Sequence, residues 1–232
     1  MATWVGTSGF QYAEWKGSFY PEDLPLKKML PYYAERFPTT EINYSFRRIP
    51  SKTTLANWAA ATPPDFKFGF KAPERITHHA RLKDCEETLR FFAVVISDLE
   101  KRLGPVLFQL PPKFPKDAER LRIFLGSMPS SIKAAFEFRD ISWLDDETFG
   151  ILKDHNAALC IAETEKLSTP QVPTANWGYL RLRREDFIPE QIKRWADFVK
   201  AQTQWSDTFV YFKHEEGGLG PKFGKQMIEA LK

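Results

Sequence analysis

Residues 178–183 read Gly-Tyr-Leu-Arg-Leu-Arg. In a strand, successive side chains point to opposite faces. Leu180 and Leu182 therefore share one face and Tyr179, Arg181 and Arg183 share the other. The same alternation ends three more apolar runs: Glu41-Ile42-Asn43, Phe68-Gly69-Phe70-Lys71 and Glu137-Phe138-Arg139. Charged groups on one face of buried strands are costly to desolvate unless they line an opening, pair or meet a ligand. Four such strand ends predict a shared site.

Working outward, eight runs rich in apolar, β-branched or aromatic residues punctuate the chain. They are Thr3 to Ser8, Thr40 to Phe46, Phe66 to Lys71, Pro105 to Leu110, Lys133 to Arg139, Ala157 to Glu163, Gly178 to Arg183 and Thr208 to His214. Their starts lie roughly 29 residues apart, the length of a βα unit. Between them lie stripes at helical spacing: Leu26, Met29, Leu30, Tyr33 and Phe37; Leu89, Phe92, Ala93, Ile96, Leu99 and Leu103; Ile188, Ile192, Trp195 and Val199. Ser51 and Asp145 stand where helix N-caps belong, Pro189 and Pro221 where first-turn prolines belong, and Gly104-Pro105 is expected to end the third helix. Helical crossovers make neighbouring strands parallel, and eight such units favour closure into a (β/α)8 TIM-type barrel. An open doubly wound sheet needs a glycine fingerprint after its first strand. Gly6-Thr7-Ser8-Gly9-Phe10 lacks the third glycine and leads into Gln11-Tyr12. One domain over residues 1–232 is expected.

The chain has 232 residues and a net charge of +3, too small to signal nucleic-acid binding by itself. Aromatic residues make up 15% of it, with 20 Phe and 7 Trp, and most belong to a core. Cys85 and Cys160 form no CxxC or Cys/His spacing, so neither a disulfide framework nor a zinc site is expected. Met1-Ala2-Thr3-Trp4 carries no basic-then-apolar signal, and no apolar run reaches membrane length. The expectation is a cytoplasmic protein with no membrane partner.

The strand ends and loops resemble the YecE-like family, catalogued as a domain of unknown function (number 72 in that series). The resemblance runs in order through Trp4-Val5-Gly6-Thr7-Ser8-Gly9-Phe10, Phe19-Tyr20-Pro21, Tyr33-Ala34-Glu35-Arg36-Phe37, Glu41-Ile42-Asn43 with Phe46, and Ile76-Thr77-His78. It continues through Leu103-Gly104-Pro105, Gln109-Leu110-Pro111-Pro112, Phe136-Glu137-Phe138-Arg139 with Trp143, and Tyr179-Leu180-Arg181-Leu182. It implies a TIM-type barrel and leaves the reaction open; a likeness to sugar-isomerase-like barrels is fold-level analogy. This chain departs from that pattern at Glu163, where aspartate is usual, at Arg183-Arg184, where His-Gly is usual, and at Lys213-His214-Glu215-Glu216, in place of an Asn-rich turn.

In a closed barrel the outward face packs on helices. By that parity Glu41, Asn43, Lys71, Gln109, Glu137, Arg139, Arg181, Arg183, Lys213 and also Glu163 are expected to face the carboxyl-end mouth, where active sites of such barrels form. Glu137 and Glu41 are the candidate acid/base groups. Arg139, Arg181, Arg183 and Lys71 are the candidate anion clamp, since a guanidinium fork meets two oxygens of a phosphate or carboxylate at once. The competing reading pairs Glu137 with Arg139 or Arg181 as a salt-bridge network without a catalytic task. His78 is a candidate proton carrier by its reference pKa, with His79 and His155 behind it. Phe10, Tyr12, Trp15 and Trp143 are candidate pocket walls. Gly217-Gly218-Leu219-Gly220-Pro221-Lys222 reads as a hinge or as a phosphate loop opposed by Glu215 and Glu216.

No cofactor is expected. A metal would need convergence of Glu41, Glu137, Glu163 and His214, and the interleaved cations raise its cost. The chain reads as an enzyme for a small anionic ligand such as a sugar phosphate, phosphodiester or carboxylate. Alternatives are a module binding a nucleotide or nucleic-acid end, or a metal-dependent isomerase or hydrolase.

Overall fold

The computed structural model describes residues 1–163, 168–213 and 216–232, with the side chain of Glu216 also left aside. Eight parallel strands close into a barrel in chain order. They are β1 (Ala2–Ser8), β2 (Thr39–Ile42), β3 (Lys67–Lys71), β4 (Leu103–Gln109), β5 (Ala134–Glu137), β6 (Ala158–Glu163), β7 (Trp177–Leu182) and β8 (Asp207–Phe212). Closure is made by β1 and β8, in register from Ala2 opposite Asp207 to Thr7 opposite Phe212. Among the described residues the α-helices are α1 (Leu26–Ala34), α2 (Lys52–Ala60), α3 (Glu86–Ser97), α4 (Ala118–Gly126), α5 (Asp146–Asp154), α6 (Pro189–Ala201) and α7 (Leu219–Leu231). None of them is long and apolar enough to cross a membrane.

The expected punctuation largely governs the helices. Ser51 Oγ accepts the Thr54 N–H at 3.1 Å and starts α2, and an Asp145 carboxylate oxygen accepts the Thr148 N–H at 2.9 Å and starts α5. Pro189 opens α6, where its missing N–H costs nothing. Two stripes are shorter than their spacing suggested. Leu26 and Ile188 are exposed at the ends of α1 and α6. Gly104-Pro105 does not end α3, which stops at Ser97; the pair lies inside β4.

An extended segment stands where a crossover helix was expected between β6 and β7, over the described residues 168–176. Thr169 N–H donates to the Ala162 carbonyl at 3.0 Å, and Thr174 Oγ1 donates to the Ala157 carbonyl and accepts from Leu159 N–H, both at 2.7 Å. These bonds lay the segment along β6. The interval from Glu163 to Trp177 is the shortest stretch asked to carry a crossover, and a backbone laid against the strand satisfies its polar groups instead.

Strand parity divides the core. Phe68, Phe70, Phe136, Leu180 and Leu182 face outward into layers shared with the helices, as in the stacking of Phe68 on Trp58 of α2. Leu107, Ala135, Ala158, Cys160, Ala162, Trp177, Tyr179, Phe209 and Tyr211 fill the lumen. The lumen accommodates two tyrosines because β3 contributes a glycine: a Cβ on Gly69 would lie 2.7 Å from Tyr211 Oη. The barrel is thus solid below and polar above.

Candidate functional site

At the carboxyl end, the lumen rises from Tyr211 and Tyr179 to a buried layer of charge. Arg181 is 2% exposed, Glu41 0% and Glu137 3%. Arg181 Nη2 donates to Glu41 Oε1 at 2.8 Å, and Nη1 donates to Glu137 Oε2 at 2.5 Å. The second oxygen of Glu41 accepts Tyr179 Oη at 2.5 Å, while Ser8 Oγ donates to Oε1 at 2.7 Å. Gln109 Nε2 donates to Glu137 Oε1 at 2.7 Å, and Arg183 Nη1 lies 3.5 Å from that oxygen. Five strands therefore meet in one network, each through a residue at or near its carboxyl end: β1, β2, β4, β5 and β7.

The electrostatics follow from that pairing. Burial by itself would raise the Glu41 and Glu137 carboxyls. Only together do the lowering influences outweigh it, Arg181 first, then Tyr179 and Ser8 at Glu41 and Arg183 and Gln109 at Glu137, so both sit below the ordinary carboxylate value. Two carboxylates share one fully buried guanidinium, so Arg181 has no unneutralised charge to offer an anion. Its Nε, however, is a buried donor with no acceptor among the described residues, and Asn43 Nδ2 is another.

Lys71 leaves β3 beside this network. Its Nζ lies 3.9 Å from the centre of the Phe46 ring. Ser45 Oγ donates to the Lys71 carbonyl at 2.6 Å and to the Ile42 carbonyl at 3.0 Å, which pins the short helical turn Tyr44–Phe46 across the ends of β2 and β3. That turn is why the expected β2 run stops at Ile42. Burial and the nearby Arg181 push the Lys71 ammonium down to about 8, against the pull of Glu41 and Glu137. His78 packs edge-on against the same Phe46 ring, 4.9 Å between centres, and its Nδ1 lies 2.9 Å from Thr77 Oγ1. Burial, Lys71 and Arg139 together lower its pKa.

Arg183 and Lys213 follow β7 and β8 by one residue, and the Lys213 charge is felt at Lys71. Burial and Arg181 lower the Arg183 guanidinium, which nevertheless stays charged at any ordinary pH. Two residues past Glu137, Arg139 is exposed on the rim. Tyr12 lies beside β1, its hydroxyl donating to the Ser8 carbonyl at 2.7 Å. Gly9, at φ +91°, makes room for that ring, since a Cβ there would lie 2.4 Å from Tyr12 Oη.

Three residues fall elsewhere, and of these His155 follows α5 and lines a hollow at the opposite end of the barrel. Trp143 is fully buried in the outer layer, stacked on Phe138 at 4.9 Å, with its Nε1 donating to the Phe114 carbonyl at 2.7 Å. A wall role at the mouth was expected of it; Phe138 faces outward and takes Trp143 with it. Glu163 also points outward, accepting Trp195 Nε1 of α6 at 2.6 Å and lying 3.5 Å from Arg184. It alternates with Cys160 and Ala162, which are the lumen residues of β6. The expectations for His214 and Glu215, and for the side chain of Glu216, lie outside the described residues. Gly217 and Gly218 have φ of +57° and +73°, and Gly218 closes on Ser18, 2.3 Å from a built Cβ to Oγ. Ser8 and Tyr179 were not singled out from the sequence as partners of Glu41, although strand parity places Tyr179 with Arg181.

Hollows of about 450 Å³ and about 410 Å³ lie at the opposite end, by Trp4, Phe209 and Trp177. The lysines there are already engaged: Lys133 with Asp207 at 2.7 Å and Lys67 with the Lys101 carbonyl. Among the described residues no three His, Cys, Asp or Glu side chains come together as metal ligands would.

Comparison with known proteins places this arrangement in a family. The family described as "Protein of unknown function DUF72" matches residues 4–232. The UPF0759 protein YecE of Escherichia coli (strain K12) is 33% identical over 202 residues, covering 76% of this chain and 74% of that protein. The UPF0759 protein YunF of Bacillus subtilis (strain 168) is 26% identical over 255 residues, covering 92% and 90%. Among solved structures, a DUF72 family protein (TM1631) from Thermotoga maritima superimposes with a TM-score of 0.87 at 27% identity, covering 100% of this chain and 99% of that one. A DUF72 family protein (EF0366) from Enterococcus faecalis shares the fold, with a TM-score of 0.80 at 19% identity over 99% of this chain and 95% of that one. The chain belongs to the DUF72 family.

Proposed function

We propose that the carboxyl-end mouth binds a small anionic metabolite bearing a phosphate or carboxylate, and that the protein acts on it as an enzyme. The observation that carries this reading is the pair of buried donors without acceptors among the described residues, Arg181 Nε and Asn43 Nδ2, at the carboxyl end of the barrel. Buried donors of this kind are uncommon, and an anion's oxygens are the complementary groups. Arg183 and Lys213 supply the charge. Glu41 and Glu137, held ionised by Arg181, fix the floor and are poor proton donors at neutral pH. Proton transfer therefore falls to Lys71 and His78, whose burial and neighbouring cations favour the neutral, proton-accepting form.

Thermal denaturation with inorganic phosphate and with a series of sugar phosphates tests this reading. A ligand at about 100 times its dissociation constant adds about 2.7 kcal/mol, or roughly 5–10 °C for a chain of this size. Arg183→Ala is expected to lose most of that shift while retaining its fold, because Arg183 is partly exposed and its 3.5 Å pairing is marginal. No shift with any phosphate or carboxylate, or an undiminished shift in Arg183→Ala, would sink the reading.

A further inference from the structure

We infer that Lys71 is an amine nucleophile, and that the ligand of this mouth is a small carbonyl compound whose phosphate or carboxylate is held by the neighbouring cations. The inference rests on the anion site proposed above and goes beyond it in assigning a bond-forming step.

The argument starts from position. Lys71 is the last residue of β3, at the end of the barrel where reacting groups collect, and its side chain is half-buried. A lysine brought this far out of water would ordinarily take a carboxylate partner. Two carboxylates are close enough to act on it, Glu41 and Glu137, and both are spent on Arg181. No acidic side chain lies within ion-pairing distance of Lys71 Nζ among the described residues; its recorded neighbour is the face of Phe46 at 3.9 Å. Two cations act on it, Arg181 from β7 and Lys213 after β8. Crowding by like charge with partial burial favours the neutral amine, the form that attacks carbonyl carbon. With a value of about 8, the neutral fraction near pH 8 is roughly a hundredfold that of an ordinary lysine.

The step balances without an oxidant or reductant. The Lys71 nitrogen lone pair attacks the carbonyl carbon, forming a C–N bond while the C=O π electrons move to oxygen. One nitrogen proton is lost and the oxygen gains one, giving a carbinolamine. A second proton on that oxygen lets water depart and leaves an iminium ion. His78 packs on the same Phe46 ring, and its Nδ1 is occupied by Thr77, so it is placed to ferry those protons through its other nitrogen. Arg183 and Lys213 hold the anionic end meanwhile.

The test is reductive trapping on the whole chain. The protein is incubated near pH 8 with pyruvate, or with dihydroxyacetone phosphate, then treated with sodium borohydride, which delivers hydride to the iminium carbon and makes the link permanent. Peptide mass mapping reads the site. The expected result is modification concentrated on Lys71, at least about tenfold over exposed lysines, suppressed by excess inorganic phosphate. Which probe labels better tells a carboxylate site from a phosphate site. Lys71→Arg should abolish the label while keeping the far-ultraviolet circular dichroism spectrum and thermal transition of the native protein, which certifies its fold. Modification spread evenly over exposed lysines, or none on Lys71 with either probe, overturns the assignment. If phosphate still stabilises the protein in that case, only the nucleophile is lost; if it does not, the anion site falls with it.

Discussion

Removing the Arg181 guanidinium while keeping its bulk, as in Arg181→Met, would leave Glu41 and Glu137 buried at 0% and 3% exposure with no counter-charge between them. Breaking such a pairing costs about 3–5 kcal/mol at neutral pH, read by urea denaturation. The pH dependence should also change sign. In the native protein both carboxyls lie below their unfolded value of 4.5, so their contribution is complete above that pH and is lost as pH falls through the folded values. In the variant, desolvation, the largest single influence on both, loses its main opponent and raises them against the remaining hydrogen bonds and Arg183. The folded state then binds more protons than the unfolded one, and stability should rise as pH falls toward 4.5. A variant whose stability falls with acid as the native protein's does would mean that the carboxylates had found other cations. This triad was legible only in part. Parity placed Glu137 and Arg181 on one face, but whether the arginine is a free clamp or a neutralised strut depends on distances that no spacing encodes.

The strand ends show the same division one level up. β3 delivers Lys71 to the mouth, yet its contribution to the lumen is a missing side chain. Tyr211 Oη reaches Thr39 Oγ1 at 2.9 Å across the space that Gly69 leaves. Gly69→Ala should therefore destabilise by about 1–3 kcal/mol, as overpacked cores do. Because the displaced ring lies under the site, the same change should reduce any phosphate-induced stabilisation. An alanine tolerated at under about 0.5 kcal/mol would show that the β3–β8 layer relaxes freely. The signals for β2 and β5 overran their ends. Thr40 to Phe46 and Lys133 to Arg139 are apolar enough to continue as strands, but the chains turn at Asn43 and after Glu137. Phe46 and His78 consequently meet above Lys71, a grouping assembled by two loops that are 32 residues apart in the sequence.

Over the whole molecule, closure by β1 on β8 ties the amino-terminal strand to the last one, and every strand has two neighbours. If residues 1–232 behave as one domain, as the sequence suggests, unfolding followed by far-ultraviolet circular dichroism and by tryptophan fluorescence should give coincident curves. The fluorescence probe covers much of the chain, since Trp15, Trp143, Trp177 and Trp205 are buried in separate parts of it. Two separated transitions would divide the chain into units. The sequence by itself determined the barrel, because period-two runs alternating with helical stripes at a βα interval leave few ways to bury both faces of eight strands. It also determined which end carries charge, because alternation fixes the face of each side chain once its neighbours are known to be core. The tertiary structure decided how those charges are spent. Arg181 satisfies Glu41 and Glu137 together because β2 and β5, on either side of β7 around the ring, both aim their carboxylates into the lumen within its reach, Lys71 is left against an aromatic ring, and Trp143 and Glu163 turn away to the helices. Each of these outcomes depends on separations across the barrel, and such separations are set by closure, not by order along the chain.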